Sequence, residues 1–144
     1  MQARKEIGFM EPVPFKAGDE LPDIYQCIVF CEEHEEEGYL GAERERYYVH
    51  RWRPWATDIN PSGMNKAVGL LQLLEHLNIR ADEAAAFGDG LNDLEMLAAV
   101  GTGIAMGNGG DEGKAKARYV TKPMLEDGIA HAVHTWILPA NASK

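Results

Sequence analysis

From residue 65 onward, short apolar segments alternate along the chain with segments whose leucines and alanines recur at helical spacing. The predicted helices are NKAVGLLQLLEHL, NDLEMLAAV, DEGKAKA and LEDGIAHAVHTWI, and the predicted strands between them are AAAFGD, GIAMGN and RYVT. Such alternation is typical of βαβ units, in which each helix crosses back to place the next strand parallel to the last. The sequence therefore predicts an α/β fold with a parallel sheet over this part of the chain.

The segment before residue 59 has a different composition. DIYQCIVFCE and ERYYVHRWRP are rich in β-branched and aromatic residues, so each predicts a strand. The acidic EEHEEEGYLG between them predicts a solvent-exposed turn or a short helix start rather than a metal site. TDINPSG then predicts a break in the strand pattern, and we expect Arg51 and Arg53 in the second strand to face water. These features predict an antiparallel piece that is distinct from the parallel sheet.

Size and charge exclude several classes of protein. The 144 residues suffice to bury one core, with 45% hydrophobic and 26% charged residues. A formal net charge of −9 argues against a nucleic-acid or anionic-membrane surface, because such surfaces need clustered Lys and Arg. No apolar run reaches the roughly 20 residues that span a bilayer, and MQARKEIGFMEPVPFKAGDE lacks the apolar core of a secretory signal. The chain is therefore predicted to have neither a nucleic-acid nor a membrane partner.

The two cysteines, Cys27 and Cys31, lie close together in IYQCIVFC. In a strand they would share one face but sit about 13 Å apart, which is too far for a disulfide. We expect both to be small core residues in a reducing compartment. The chain is therefore predicted to be cytoplasmic.

The stretch AAAFGDGLNDLEML places polar residues and glycines directly after a buried strand. They are Gly88, Asp89, Gly90, Asn92 and Asp93. The glycines are expected to allow a sharp turn and the close approach of a ligand. In a parallel sheet, ligands bind beyond the carboxyl ends of the strands, which is where Asp89 falls.

An ordinary strand–helix turn with an Asn or Asp cap explains most of this stretch, but it does not explain Asp89. A carboxylate beside another carboxylate is costly unless a cation is near. Mg²⁺ prefers carboxylate oxygens and keeps waters that phosphate oxygens can replace. Asp89 is therefore predicted to be a Mg²⁺ ligand, with Asp93 as a second ligand or an orienting group.

Lys66 is the next candidate residue. If Asn65 caps the first predicted helix, Lys66 lies in its first turn, where the helix dipole disfavours a cation. A lysine at a helix start is most often merely solvated, but such a local inconsistency frequently marks a functional site. Lys66 gains weight from the chain order, because Asp89 follows at the end of the next strand. His131 and His134 share a helical face, but without a third ligand we expect them to be surface residues.

Four segments of this second part resemble the haloacid dehalogenase (HAD) superfamily of Mg²⁺-dependent phosphohydrolases, in its Cof-like group of phosphatases with a large α/β cap. They are NKAVGLL, GDGLNDLEML, GIAMGNGGDEGKAKARYVT and LEDGIA. The resemblance is very specific from residue 59 to 133 and looser from residue 25 to 58. It implies that residues 59–144 form the C-terminal half of a Rossmann-like core. Residues 1–58 would then be the C-terminal part of an antiparallel α/β cap.

The resemblance also implies roles for individual residues. Asp89 would bind Mg²⁺, and Asp93 would complete the acidic metal cluster. Lys66 would contact the transferred phosphoryl group and the nucleophile, so that Lys66 and Asp89 are the implied catalytic residues. Asn92 would hydrogen-bond the phosphate, and the implied substrate is a small phosphorylated metabolite. These roles agree with the chemistry of phosphoryl transfer, in which positioning and charge neutralisation dominate.

One part of the family's site has no counterpart in this sequence. The family's nucleophile is an aspartate in a D-x-D-G-T sequence, and no D-x-D occurs in the chain. We therefore expect a C-terminal fragment of a phosphatase that acts on small phosphorylated metabolites. The alternative hypothesis is a non-catalytic binding or regulatory module that keeps a Mg²⁺ and phosphate site. An in-frame D-x-D-G-T segment immediately upstream in the coding sequence would favour the first hypothesis.

The missing segment also affects association. In the family's core, the nucleophile strand lies beside the strand that AAAFGD would form. Without that neighbour, the AAAFGD strand is an apolar edge with no charged or proline residue to protect it. We therefore expect self-association through this sheet edge.

Overall fold

The computed structural model describes residues 14–138, and the chain divides into two compact units, Met1–Gly63 and Met64–Lys144. The first unit holds an antiparallel sheet and the second a parallel sheet, so the predicted α/β class with two kinds of sheet is confirmed. The outer ends of the predicted segments 1–58 and 59–144 lie outside the described residues. Within the described range, no helix combines the length and hydrophobicity needed to cross a bilayer.

The sheet of the first unit has three strands in the order β1-β3-β2. Its strands are β1, Cys27–Val29, β2, Tyr47–Arg53, and β3, Ala56–Pro61. Between β1 and β2 come a 3-10 turn, Glu33–Glu35, the helix α1, Glu36–Leu40, and a second 3-10 turn, Gly41–Arg46. Both strand pairs are antiparallel, and the pairing of β2 is irregular between Arg51 and Arg53. The acidic segment after β1 is thus helical, one of the two forms predicted for it.

Strand β3 lies at the centre of this sheet, contrary to the break predicted for TDINPSG. Its residues pair on both sides, so that Ile59 stands opposite both Cys27 and Val49. Pro61 pairs with Tyr47 at the very end of the strand, where a missing N–H is tolerated. The prediction of a break is wrong over residues 57–61 because two flanking strands supply hydrogen bonds that local turn propensity does not reveal.

Arg51 is half-buried and hydrogen-bonded within the unit, which corrects the expectation that both arginines of β2 face water. Its side chain is 19% exposed, and its Nη2 and Nε donate to Glu36 Oε1 at 2.6 and 2.9 Å. Its Nη1 donates to the carbonyl oxygens of Cys31 and Pro54. The guanidinium thus fastens α1 to the sheet, whereas Arg53 is exposed as predicted.

Both cysteines are free thiols, but only one of them lies in the core. Cys31 is buried, as predicted, whereas Cys27 is exposed. The expectation for Cys27 is wrong because β1 is a short edge strand whose first residue remains open to solvent.

The second unit holds the predicted alternation of strands and helices. Its parallel sheet has the order β4-β5-β6, formed by Ala85–Gly88, Thr102–Ala105 and Tyr119–Val120. The helices are α2, Lys66–His76, α3, Leu94–Ala99, α4, Asp111–Lys116, and α5, Gly128–Ala132. The 3-10 turns are Ala81–Glu83, Leu91–Asp93 and Met124–Glu126, and a π-helical turn, Val133–Ile137, follows α5. Asn65 caps α2 as predicted, because its side chain accepts a hydrogen bond from Val68 N at 2.9 Å.

The core of the second unit is centred on β5. Ile104 in this strand is fully buried, and Leu97 of α3 and Leu74 of α2 are also buried. Leu71 of α2 is 42% exposed, and Leu77, the C-cap residue directly after this helix, is 53% exposed. The predicted helix is therefore present. Within the described part of the chain, however, fewer of its leucines are buried than their helical spacing suggests.

The C-terminal helical segment packs on β6 through aromatic rings. Trp136 stacks on Tyr119 with the ring centroids 4.7 Å apart and the planes 7° apart. His131 meets the Trp136 ring edge-on, and its Nδ1 lies 3.2 Å from Thr121 Oγ1. The expected surface position therefore holds for His134, which is exposed, but His131 is half-buried against its neighbours.

We expect the chain to self-associate through β4. Among residues 14–138, β4 pairs with β5 alone, and no charged residue lies between Ala85 and Phe87 to protect the other edge. A lysine in place of the exposed Ala85 should therefore weaken association, whereas the same change at the exposed Ala98 on α3 should not. Light scattering of the wild type, Ala85→Lys and Ala98→Lys across a concentration series measures this. A compact monomer at high concentration, with protected amides in residues 84–87, would contradict the prediction.

Candidate functional site

The turn after β4 is organised by a buried carboxylate. β4 ends at Gly88, and the chain passes through Asp89 and Gly90 into a 3-10 turn and then α3. Asp93 is 4% exposed, and its Oδ2 accepts hydrogen bonds from the N–H groups of Asp89 and Gly90 at 3.0 and 2.9 Å. These bonds satisfy two backbone donors of a tight turn. Asp93 therefore fixes the backbone that carries Asp89.

Gly88 and Gly90 are needed for space rather than for an unusual backbone conformation. A Cβ on Gly88 would lie 2.5 Å from Asp93 Cβ, and one on Gly90 would lie 2.7 Å from Asn92 Oδ1. Gly90 has φ −103° and ψ 164°, which any residue can adopt, and neither glycine has a positive φ. The tight turn therefore does not depend on a left-handed backbone at either glycine. They let two side chains lie against the backbone instead.

Lys66 and Asp93 form an ion pair. Lys66 Nζ lies 2.5 Å from Asp93 Oδ1, although the two residues are 27 positions apart. The lysine side chain is 48% exposed, whereas the Asp93 side chain is 6% exposed, so solvent reaches the pair from the side of the lysine. Asp93 thus compensates the charge that the dipole of α2 disfavours at its start. Both oxygens of Asp93 are engaged, one by Lys66 and the other by backbone N–H groups.

The pKa of the Asp93 carboxyl lies below its usual value. Burial favours the protonated acid and acts to raise this pKa. The hydrogen bonds from Lys66 and from the Gly90 and Asp89 N–H groups, together with the lysine charge, outweigh burial and lower it. Asp93 is therefore ionised at neutral pH, as its pairing with Lys66 requires.

Asp89 presents its carboxylate at the surface, at the end of β4. Among the described residues its one side-chain partner is Asn108, whose Nδ2 donates to Asp89 Oδ2 at 3.0 Å. Asn108 follows β5, the neighbouring strand, and it is absent from the residues that the sequence predicts for the site. Its position could have indicated it, because it is a polar residue just after the strand next to β4.

Asn92 lies in the 3-10 turn between Asp89 and Asp93, and it is half-buried. Its side-chain amide makes no hydrogen bond within residues 14–138, so its donors are available to a ligand. The four residues predicted for the site thus lie on one turn and on the helix start that is hydrogen-bonded to it.

The donors at this turn suit a hard cation such as Mg²⁺. Asp89 supplies a carboxylate whose Oδ1 accepts no hydrogen bond in the described part of the chain. No group of three or more His, Cys, Asp or Glu side chains that could hold a metal occurs in residues 14–138. Of the two carboxylates at the turn, Asp93 has both oxygens engaged, so Asp89 is the one that can bind a cation. Mg²⁺ is commonly held by one or two carboxylates, with waters and phosphate oxygens as its other ligands.

A family of known proteins matches most of the chain. The family model described as haloacid dehalogenase-like hydrolase matches residues 2–133, a range that includes all four predicted site residues. The putative phosphatase YkrA of Bacillus subtilis (strain 168) is 46% identical over 111 residues, which make up 77% of this chain and 42% of YkrA.

Solved structures match the fold as well. A hypothetical protein from Geobacillus kaustophilus HTA426 gives a TM-score of 0.78 at 41% identity, over 92% of this chain and 51% of that one. The HAD subclass IIB sugar phosphatase BT4131 gives a TM-score of 0.68 at 36% identity, over 78% of this chain and 43% of that one. The chain thus spans about half the length of each of these three proteins.

We expect Asp93→Asn to destabilise the chain in a pH-dependent manner. Because the pKa of Asp93 is lowered by folding, its ionised form stabilises the folded chain. This stabilisation is complete above the unfolded pKa, about 3.9, and is lost as the pH falls through the lower folded pKa. At pH 7 the free energy of unfolding should fall by about 1–2 kcal/mol. This is the usual contribution of a hydrogen bond to a charged group, reduced because the Lys66 side chain is half exposed and solvent screens its charge.

Urea unfolding at neutral and acidic pH measures this effect. The difference between the wild type and Asp93→Asn should shrink as the pH falls below about 3.9. Asp82, which is exposed and pairs with Arg80, provides the matched control, and Asp82→Asn should unfold close to the wild type at neutral pH. A loss for Asp93→Asn that is the same at both pH values would contradict the ion-pair explanation.

Proposed function

The chain belongs to the haloacid dehalogenase-like hydrolases, in their Cof-like phosphatase group, and we propose that it carries the lysine and metal-binding part of a Mg²⁺-dependent phosphohydrolase. The proposed substrate is a small phosphorylated metabolite, which the similarity to a sugar phosphatase supports. Residues 59–144 are proposed as the C-terminal half of the catalytic core, and residues 1–58 as part of the cap. A cytoplasmic location is proposed because both cysteines are free thiols.

The observation that carries this proposal is the Lys66–Asp93 pair beside the end of β4. An ammonium held at a fixed point near the carboxyl end of a parallel strand can neutralise charge on a phosphoryl group. Asp93 holds Lys66, and the exposed part of the lysine side chain is left for a ligand. We assign Lys66 to the transferred phosphoryl oxygens and the nucleophile. The Asn92 amide is assigned to hydrogen-bonding the phosphate.

Asp89 is the proposed Mg²⁺ ligand. Its Oδ2 is occupied by Asn108, while its Oδ1 is free within the described residues. Asp93 is proposed to orient rather than to ligate, because Lys66 and two backbone N–H groups already engage its oxygens. When bound, Mg²⁺ would neutralise negative charge on the phosphoryl oxygens. Lys66 supplies positive charge from the protein itself.

We expect Mg²⁺ binding to depend on Asp89 much more than on Asp93. Asp89→Asn removes the charge of the available carboxylate and should weaken binding by about tenfold or more. Asp93→Asn keeps an oxygen that can accept the N–H groups of the turn, so its loss of affinity should be smaller. Titration calorimetry with MgCl₂ measures this, once circular dichroism has verified that each variant is folded. Equal losses for the two variants would mean that the primary ligand is wrongly assigned.

The chain by itself is expected to show no appreciable phosphatase turnover. It contains no D-x-D sequence, so none of its residues matches the aspartate that forms the covalent intermediate in the family. Assay of the purified chain with an aryl phosphate and Mg²⁺ tests this, with Asp89→Ala as the control. Robust turnover that Asp89→Ala abolishes would contradict the expectation.

The lack of a D-x-D sequence also favours a second candidate, a non-catalytic module that binds Mg²⁺ and phosphate. Expression of this chain together with its upstream coding sequence separates the two candidates. If an in-frame D-x-D-G-T segment is present and the longer protein hydrolyses an aryl phosphate in a Mg²⁺-dependent manner, the phosphohydrolase proposal is supported. A longer protein with no such segment and no turnover, but with Mg²⁺-dependent binding of inorganic phosphate, would favour the module.

A further inference from the structure

We infer that Asn108 positions the Asp89 carboxylate for a divalent cation, a role that rests on the function proposed above. Asn108 Nδ2 donates to Asp89 Oδ2 at 3.0 Å, and Asn108 Oδ1 accepts from the Met124 N–H at 2.8 Å. One amide therefore links the segments that follow three neighbouring strands, with Asp89 after β4, Asn108 after β5 and Met124 after β6. Both ends of the amide are used, so the orientation of its donor group is fixed.

The backbone around Asn108 is held against the Asp89 turn. Met106 N donates to Gly88 O at 2.9 Å, and Gly109 N donates to Met106 O at 2.9 Å. A Cβ on Gly109 would lie 3.1 Å from Asp89 Cα, closer than most side chains approach, so this glycine lets the loop lie against Asp89. The contact between Asn108 and Asp89 is therefore set by the backbone as well as by an exposed side chain.

A neutral amide suits this position better than a cation would. Lys66 neutralises Asp93, and a lysine or arginine at position 108 would neutralise Asp89 in the same way. The Asn108 amide instead leaves Asp89 its full charge. Its hydrogen bond occupies Oδ2 and restricts rotation of the carboxylate, so that Oδ1 is presented in one orientation. Partners that orient a metal-ligating side chain in this manner typically change metal affinity by about 10–100-fold.

A purely structural alternative is that Asn108 only anchors the turn Met124–Glu126. The two bonds of the amide can be separated, because Met124→Pro removes the N–H that Asn108 Oδ1 accepts. Pro123 has φ −58° and ψ 158°, a conformation suited to a residue before proline, and position 124 begins the turn. Met124→Ala changes the exposed side chain but keeps the N–H, so it is the matched control.

The test measures Mg²⁺ binding by the full 144-residue chain. NMR titration with MgCl₂, followed on the backbone amides of Asp89 and Gly90, detects weak binding without any need for turnover. Asn108→Ala should weaken Mg²⁺ binding by about tenfold. Met124→Pro should weaken it less, because the bond to Asp89 remains, and Met124→Ala should leave it unchanged.

Three results would overturn the proposal. If Asn108→Ala changes the Mg²⁺ affinity by less than about twofold, the change is far smaller than an orienting partner usually causes. That result would overturn the proposal and leave the proposed function intact. If Met124→Pro loses as much affinity as Asn108→Ala, anchoring of the turn is the cause. If the wild-type chain does not bind Mg²⁺ at all, the metal assignment of Asp89 falls together with this role of Asn108.

Discussion

Asp93 buries a negative charge at the end of β4, and the fold accommodates this charge because both carboxylate oxygens find donors. Removal of a carboxylate from water is expensive unless hydrogen bonds and an opposite charge replace the lost solvent. Lys66 and the N–H groups of Asp89 and Gly90 provide that replacement. The same bonds fix the start of α2 relative to β4, the path of the turn and the position of the lysine ammonium. The candidate site therefore depends on a structural carboxylate before it depends on any ligand.

The two aspartates of the turn have different electrostatic surroundings. Two nearby carboxylates suggest a need for a bound cation when they are considered from sequence alone. In the structure, the ammonium of Lys66 already meets that need for Asp93. The inference of a bound cation therefore rests on Asp89, which is exposed and whose described side-chain partner is an uncharged amide. Two acidic residues close together in the sequence are thus weaker support for a metal site than one carboxylate that has no positively charged partner among the described residues.

Local sequence determines the parts of the site that could be predicted. Asn65 and Asp93 have backbone hydrogen-bond partners within four positions along the chain. The short sequence around each of them therefore includes both the donor and the acceptor. Arg51 and Glu36, and Asn108 and Asp89, are 15 and 19 positions apart, and no local pattern pairs them. The break predicted for TDINPSG is wrong for the same reason, because the two partner strands of β3 outweigh the turn propensity of its own residues.

The parallel sheet sets the geometry of the site, because each of its strands leads into one member of the hydrogen-bonded series from Asp89 through Asn108 to Met124. Gly88 pairs with Ala105 across β4 and β5, and Ala105 continues the pairing to β6. The strand order is the order of the contacts, so each contact bridges nearest neighbours. A slip of one residue between two strands would move one member by about 3.3 Å, which is more than a hydrogen bond tolerates. The buried packing that holds β5 in register therefore also holds Asn108 opposite Asp89.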